Sequence, residues 1–122
     1  MTRTASSAAA ESGPVSRVEV VTFRIARPYR PQLFARATGE LDRVAARLAR
    51  QLHGRVETGV TVQVAGRQAR SYSLAYQAKL VQITFVFDGR EEYELLCRRP
   101  ATLIDAPACA RLLATFGLAA AT

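Results

Sequence analysis

The residues best suited to chemistry lie in one stretch, FVFDGREEYELLCRR, residues 85–99. A pair of carboxylates works as general acid and base only if both face one pocket and their environments drive their pKa values apart. In a strand, Glu92 and Glu94 share one face, whereas Glu91 points to the other. Two like charges flanked by Arg90 and Arg98 favour a solvated edge or cross-strand ion pairs over a catalytic pair. An acidic surface for a protein partner is the functional alternative.

The turn in this stretch decides which face the glutamates occupy. A two-residue Asp-Gly turn would place Glu92 opposite Phe85 and Glu94 opposite Ile83, with both charges among the core residues. A three-residue loop over 87–89 instead pairs Ile83 with Tyr93 and Val81 with Leu95, leaving both glutamates on the opposite face. We therefore predict that hairpin register, with Tyr93, Leu95 and Cys97 pointing into the core.

The two cysteines, Cys97 and Cys109, match no zinc-binding spacing. A nucleophilic cysteine needs a nearby base, and the only histidine, His53, is expected at the end of a helix, close to its last carbonyls. Both cysteines fall on the core faces of adjoining elements. They are expected to touch, as a disulfide in an oxidising compartment or as small buried apolar groups otherwise. The sequence predicts no catalytic residue, metal site or cofactor.

Two further sets of side chains are candidates for binding. Alternating aromatic residues in strands are either core or the lining of a ligand pocket between the sheet and the long helix; here they are Tyr72, Tyr76, Phe85 and Tyr93. Arginines on the outer side of the long helix form either a solvated face or a surface for an anionic partner; they are Arg36, Arg43, Arg47 and Arg50.

Composition limits the class of protein. The 122 residues leave room for one domain, and 49% of them are apolar. The formal charge is +7, and every cation except Lys79 is arginine; this fits either a surface for a polyanion or a coding bias toward arginine. No apolar run approaches the ~18 residues of a membrane span or forms a signal-peptide core. The sequence thus favours a cytoplasmic protein.

Hydrophobic periodicity predicts the elements. Residues 1–16 carry little to bury and are expected to be a disordered leader, and residues 17–119 a single domain. Apolar residues at helical spacing predict helices, and period-two alternation predicts strands that form an antiparallel meander. The helices are expected at 32–53 and 104–118, and the strands at 18–26, 60–65, 67–77, 79–87 and 91–99. We predict an α+β fold, with the sheet covered by the long N-terminal helix and the shorter C-terminal one.

The runs VTVQVAGRQARSYSLAY, VQITFVFDGREEYELLCRR and ACARLLATFGL, in this order, resemble the PsbP-like family. The resemblance covers roughly residues 18–118. It implies an α/β/α sandwich that acts by binding rather than by chemistry, because the family contains photosystem-associated proteins, a Ran-binding protein and many bacterial proteins of no assigned role. Many bacterial relatives are exported, whereas this sequence shows no signal peptide.

Three functions follow as hypotheses. The first is a non-enzymatic binding or accessory protein that recognises a protein partner by its surface. The second is a carrier for a small apolar ligand, held between the sheet and the long helix. The third is binding of nucleic acid or an anionic membrane by the arginine face of that helix.

Overall fold

A computed structural model describes residues 4–11, 17–100 and 116, with the backbone alone at 4–11 and 17. These residues form one antiparallel sheet with strand order β1-β2-β6-β5-β4-β3 and one α-helix that lies on one of its faces. The strands are β1 (Thr4–Glu11), β2 (Arg17–Arg24), β3 (Arg55–Val64), β4 (Arg67–Tyr76), β5 (Lys79–Asp88) and β6 (Glu91–Pro100). A short 3-10 turn, Pro31–Leu33, leads into helix α1, Phe34–Gln51.

The predicted α+β class, the long first helix and the antiparallel meander of β3 to β6 are confirmed. The structure differs from the expectation for residues 1–16, because Thr4–Glu11 pairs with β2 along its whole length. An open sheet edge offers unpaired N–H and C=O groups, so backbone pairing adds a strand there although the added segment has few large apolar residues.

Helix α1 packs on the sheet through residues spaced four apart, Leu41, Ala45 and Ala49, all of them buried. The small alanines bring the helix backbone close to the sheet. The sheet residues that complete this first core share one face of β4 and β5; they are Tyr72, Leu74, Val81, Ile83 and Phe85. The contacts of α1 with the sheet are made mainly to β3 and β4.

The opposite face of the sheet carries a second core. Val64, Ala69, Val86 and Leu95 are buried there, with Val20, Val62, Tyr93 and Phe116 packed around them. Because apolar side chains line both faces, the sheet needs cover on both. The predicted C-terminal helix lies outside the described residues except for Phe116, whose ring meets Tyr93 edge to face at 5.2 Å between centroids.

His53 and Gly54 together end helix α1. His53 adopts the left-handed conformation, with φ 56°. Its N–H donates to the Arg50 carbonyl, and the Gly54 N–H donates to the Ala49 carbonyl, the bond pattern of a Schellman motif. Histidine therefore occupies the position where glycine is usual.

The predicted register of the β5–β6 hairpin is wrong. Asp88 pairs with Glu91, so the turn has two residues, Gly89 and Arg90, and Gly89 takes the positive φ of 57°. Ile83 now faces Leu96 rather than Tyr93, and all glutamate positions shift with it. The register is tolerated because Tyr93 and Leu95 pack in the second core, and Cys97, on the same face of β6, is buried as well.

Within the described residues, no helix is both long enough and apolar enough to cross a membrane.

Candidate ligand cleft

A cleft of about 380 Å³ opens between the first half of α1, the chain that leads into it and the adjoining end of the sheet. We call it the α1 cleft. Its apolar lining consists of Ile25, Pro28, Tyr29, Leu33, Ala37, Leu41, Val44 and Phe87, and its charged lining of Arg27, Arg36, Glu40 and Glu92. The lining is thus mostly apolar with a few charged groups, the usual make-up of a small-molecule site.

The connection from β2 to α1 forms one wall of the cleft, and the β5–β6 turn holds it in place. The N–H of Ile25 donates to the Arg90 carbonyl at 2.8 Å, and the N–H of Tyr29 donates to the Gly89 carbonyl at 2.6 Å. The Arg90 guanidinium donates in return to the Ala26 carbonyl at 2.8 Å. Three hydrogen bonds therefore fix this wall to the sheet before any ligand binds.

Aromatic rings form the floor near the turn. The rings of Tyr29 and Phe87 are stacked, with centroids 4.9 Å apart and planes 18° from parallel. Burial raises the pKa of Tyr29 above the ordinary tyrosine value, so its hydroxyl stays neutral. Ile25 and Leu41 are buried on either side. The floor offers flat and aliphatic surface but no nucleophile.

Charged groups of both signs border this apolar floor. The Glu92 side chain is only 7% exposed and takes part in an interaction of its own. Arg27, Arg36 and Glu40 are exposed at the rim. The arginines that form ion pairs between described side chains are others, namely Arg24, Arg55, Arg67 and Arg70. Arg27 and Arg36 thus form no ion pair with another described side chain.

The structure brings together only part of the predicted partner surface. Glu92 and Arg36 both line the α1 cleft, although the glutamate was expected to point outward. Glu94 pairs across the strands with Phe85, on the helix-bearing face, and is half-buried. The remaining residues of the predicted surface are exposed on α1; they are Arg43, Arg47 and Arg50.

The four aromatic residues predicted to line a pocket do not share one. Tyr72 and Phe85 meet edge to face at 5.9 Å inside the first core, where both are buried. Tyr93 lies on the opposite face with Phe116, and Tyr76 lines a separate cavity of about 600 Å³ beside the end of α1. A space between sheet and helix does exist, but other residues form it.

The sequence signal for the cleft is the segment RPYRP, residues 27–31, which lies in the connection between β2 and α1. Its prolines keep the connection extended, and its tyrosine supplies a ring that the sheet alone cannot bury. The pattern is an aromatic residue between two prolines, followed by a long amphipathic helix. This pattern indicates a connection whose apolar side lines a cleft.

A polar cluster fixes α1 to the sheet on the side away from the cleft. The Tyr72 hydroxyl donates to Asp42 Oδ1, and Arg70 donates to the same oxygen at 3.3 Å. Arg70 also donates to the Tyr72 hydroxyl at 3.3 Å. Burial, followed by the hydrogen bond to Asp42, raises the pKa of Tyr72 to about 12. The cluster is an anchor, because its phenol is neutral and its charges are paired.

The sulfur of Cys97 is buried and disulfide-bonded. Cys109, the partner that the sequence predicts, lies outside the described residues. The described part of the chain contains no group of three or more His, Cys, Asp or Glu side chains that could hold a metal ion.

Comparison with family models, curated proteins and solved structures finds no match to this chain.

Proposed function

We propose that this chain is a non-enzymatic binding protein and that the α1 cleft holds a small amphipathic ligand. One observation carries the proposal: an apolar cleft with charged residues at its rim lies between the sheet and α1, and its wall is already fixed by three hydrogen bonds. A preformed wall lowers the ordering cost of binding.

The size of the cleft limits the ligand. About 380 Å³ lies at the lower end of small-molecule sites, whose volumes run from roughly 300 to 1,000 Å³. At roughly 30 Å³ for each water-sized group, this space takes about a dozen non-hydrogen atoms. A single short chain or one ring system with a polar head fits that limit, whereas a folded partner domain does not enter it.

The proposal includes the finer architecture that the sequence predicts, an α/β/α sandwich of the PsbP-like kind. The contact of Phe116 with Tyr93 supports cover of the second face by the C-terminal residues. A disulfide from Cys97 to Cys109, the only other cysteine of the chain, would fasten that cover to β6. In this arrangement the C-terminal residues cover the second face of the sheet. The ligand then binds on the face that bears α1.

Filling the cleft tests the proposal. Ala37 lines the cleft on α1, so Ala37→Trp should occupy it, whereas Ala35→Trp adds the same ring at an exposed position of the same helix. We expect a ten-carbon amphiphile to raise the melting temperature of the wild type and of Ala35→Trp by several degrees, because a ligand that binds only the folded state stabilises it. The Ala37→Trp variant should show no such rise.

Equal shifts in all three proteins would place the amphiphile elsewhere and contradict the proposal. Failure of every amphiphile to shift the wild type would do the same. Because both variants lose similar helix propensity, a difference between them reports on the cleft rather than on α1 itself.

Recognition of a protein partner is the second candidate, and edge strand β3 favours it. Val60 is 48% exposed on β3, and Val56 is also exposed, on a strand that has no neighbour beyond it among the described strands. An open edge with exposed β-branched residues suits pairing with an extended segment of a partner. Val60→Lys should abolish retention of such a partner without changing the response to amphiphiles; retention unchanged by the lysine would remove β3 from consideration.

A further inference from the structure

We propose that the ligand of the α1 cleft is an anionic single-chain amphiphile, a medium-length carboxylate whose head is held by Arg27 and Arg36. The inference rests on the proposed function and adds the charge of the ligand to it. Its basis is the distribution of charge around the cleft.

The rim presents two arginines from different elements. Arg27 belongs to the β2–α1 connection, and Arg36 belongs to the first turn of α1. Neither side chain takes part in the ion pairs between described residues, which involve Arg24, Arg55, Arg67 and Arg70. A guanidinium presents a planar fork of N–H donors that matches a carboxylate. The lining of the cleft thus offers two such forks to an anionic head.

The acidic groups of the cleft do not reverse this preference. Glu92 lies on the floor, is 7% exposed and already has an interaction of its own. Glu40 is one exposed carboxylate in a cleft lining that also contains two exposed arginines, Arg27 and Arg36. The whole chain carries a formal charge of +7, which favours the approach of anions over cations.

The apolar part of the cleft suits a chain. The stacked rings of Tyr29 and Phe87 and the side chains of Leu41 and Val44 give a continuous apolar surface below the rim. About a dozen non-hydrogen atoms fill the space. Decanoate has a head and chain of about this size and serves as the probe.

Isothermal titration of the full chain with three probes of equal chain length tests the inference, at pH 7.5 and below their aggregation concentrations. The probes are decanoate, decan-1-ol and decyltrimethylammonium. Decanoate is expected to bind roughly tenfold more tightly than the alcohol, and the cation most weakly. Arg27→Gln and Arg36→Gln should each weaken decanoate roughly three- to tenfold and leave the alcohol unchanged. Arg47→Gln, an exposed arginine of α1 outside the cleft lining, is the control.

The outcomes separate the two levels of the proposal. If the alcohol binds as tightly as decanoate, or if Arg47→Gln weakens decanoate as much as Arg36→Gln, the head-group inference is overturned while the cleft remains a ligand site. If the cation binds most tightly, the inference that the ligand is anionic is contradicted. If no probe binds, the proposed function itself fails.

Discussion

His53 and Gly54, at the end of α1, respond differently to a change of side chain. His53 carries a side chain where glycine is favoured, and Gly54 has no room for one. His53 has a left-handed φ of 56°, which costs a side-chain-bearing residue about 1 kcal/mol. A Cβ added to Gly54 would overlap the Ala75 carbonyl oxygen and lie 2.7 Å from Tyr76 Cβ. His53→Gly should therefore raise the free energy of unfolding by about 1 kcal/mol, and Gly54→Ala should lower it by about 2 kcal/mol.

Urea unfolding of the two variants and the wild type measures both changes. The prediction concerns the order of stability, His53→Gly above wild type above Gly54→Ala. A stable Gly54→Ala protein would mean that α1 does not approach β4 as closely as the structure shows.

Tyr72 makes stability depend on alkaline pH. Burial first, and then the hydrogen bond to Asp42, raise its pKa from 10.0 to about 12, with Arg70 acting in the opposite direction. Because the folded state holds the proton more tightly than the unfolded state, this stabilisation is complete below about pH 10 and is lost as the pH rises through about 12.

Between pH 9 and 12 the wild type should lose on the order of 1–2 kcal/mol more unfolding free energy than Tyr72→Phe, which has no proton at this position. Denaturant unfolding at each pH gives the two curves. Tyr29 and Tyr93 titrate in both proteins, so the difference isolates Tyr72. Parallel curves would show that neither burial nor Asp42 raises the pKa of Tyr72 in the folded state.

Single residues also show where sequence reasoning reaches its limit. Tyr72 and Leu74 share one face of β4, which period-two alternation requires whichever strand lies beside it. The position of Glu92 required the register of a pair of strands, and a turn one residue shorter moved it from solvent to the floor of the cleft. The sequence prediction placed Glu92 away from this face because burying its charge is unfavourable. The cleft nevertheless lies on this face, and Glu92 lines it.

Among the elements, the β5–β6 turn is the one that shapes the cleft. Arg90→Ala removes the hydrogen bond to the Ala26 carbonyl and so loosens the β2–α1 connection. We expect a threefold to tenfold loss of affinity for the amphiphile, with a loss of about 1 kcal/mol in unfolding free energy. Arg98→Ala, an exposed arginine elsewhere on β6, is the matched control. Titration calorimetry measures the affinity of both variants for the amphiphile. Equal affinities would show that the hydrogen bond from Arg90 is not needed to hold the wall of the cleft.

Helix α1 and strands β2, β4, β5 and β6 were predictable because their hydrophobic periods are long and bounded by prolines and glycines. Of β3 only the second half was predicted, because residues 55–59 are exposed and do not alternate. Strand β1 was not, since its alanines and serines carry no strand pattern and only the free edge of β2 gives them a partner. The pairing of β2 with β6 could not be predicted from the sequence either, because most of the chain lies between the two strands. Contacts of that kind depend on the fold rather than on local sequence.

At the scale of the whole molecule, the cleft results from incomplete cover. Helix α1 makes its sheet contacts mainly to β3 and β4, and the β2–α1 connection bridges the remaining gap near β5 and β6. The sequence predicted a space between sheet and helix but assigned it to Tyr72 and Phe85, which fill the core. Apolar side chains look alike in sequence whether they fill a core or line a cleft.

The most direct test of the central claim is to locate the bound amphiphile by nuclear magnetic resonance on the uniformly labelled full chain. With decanoate present, we expect intermolecular contacts from its chain to the methyl groups of Ile25, Ala37 and Val44. Contacts confined to the exposed valines of β3, or spread over both faces of the sheet, would contradict the assignment of the α1 cleft as the binding site.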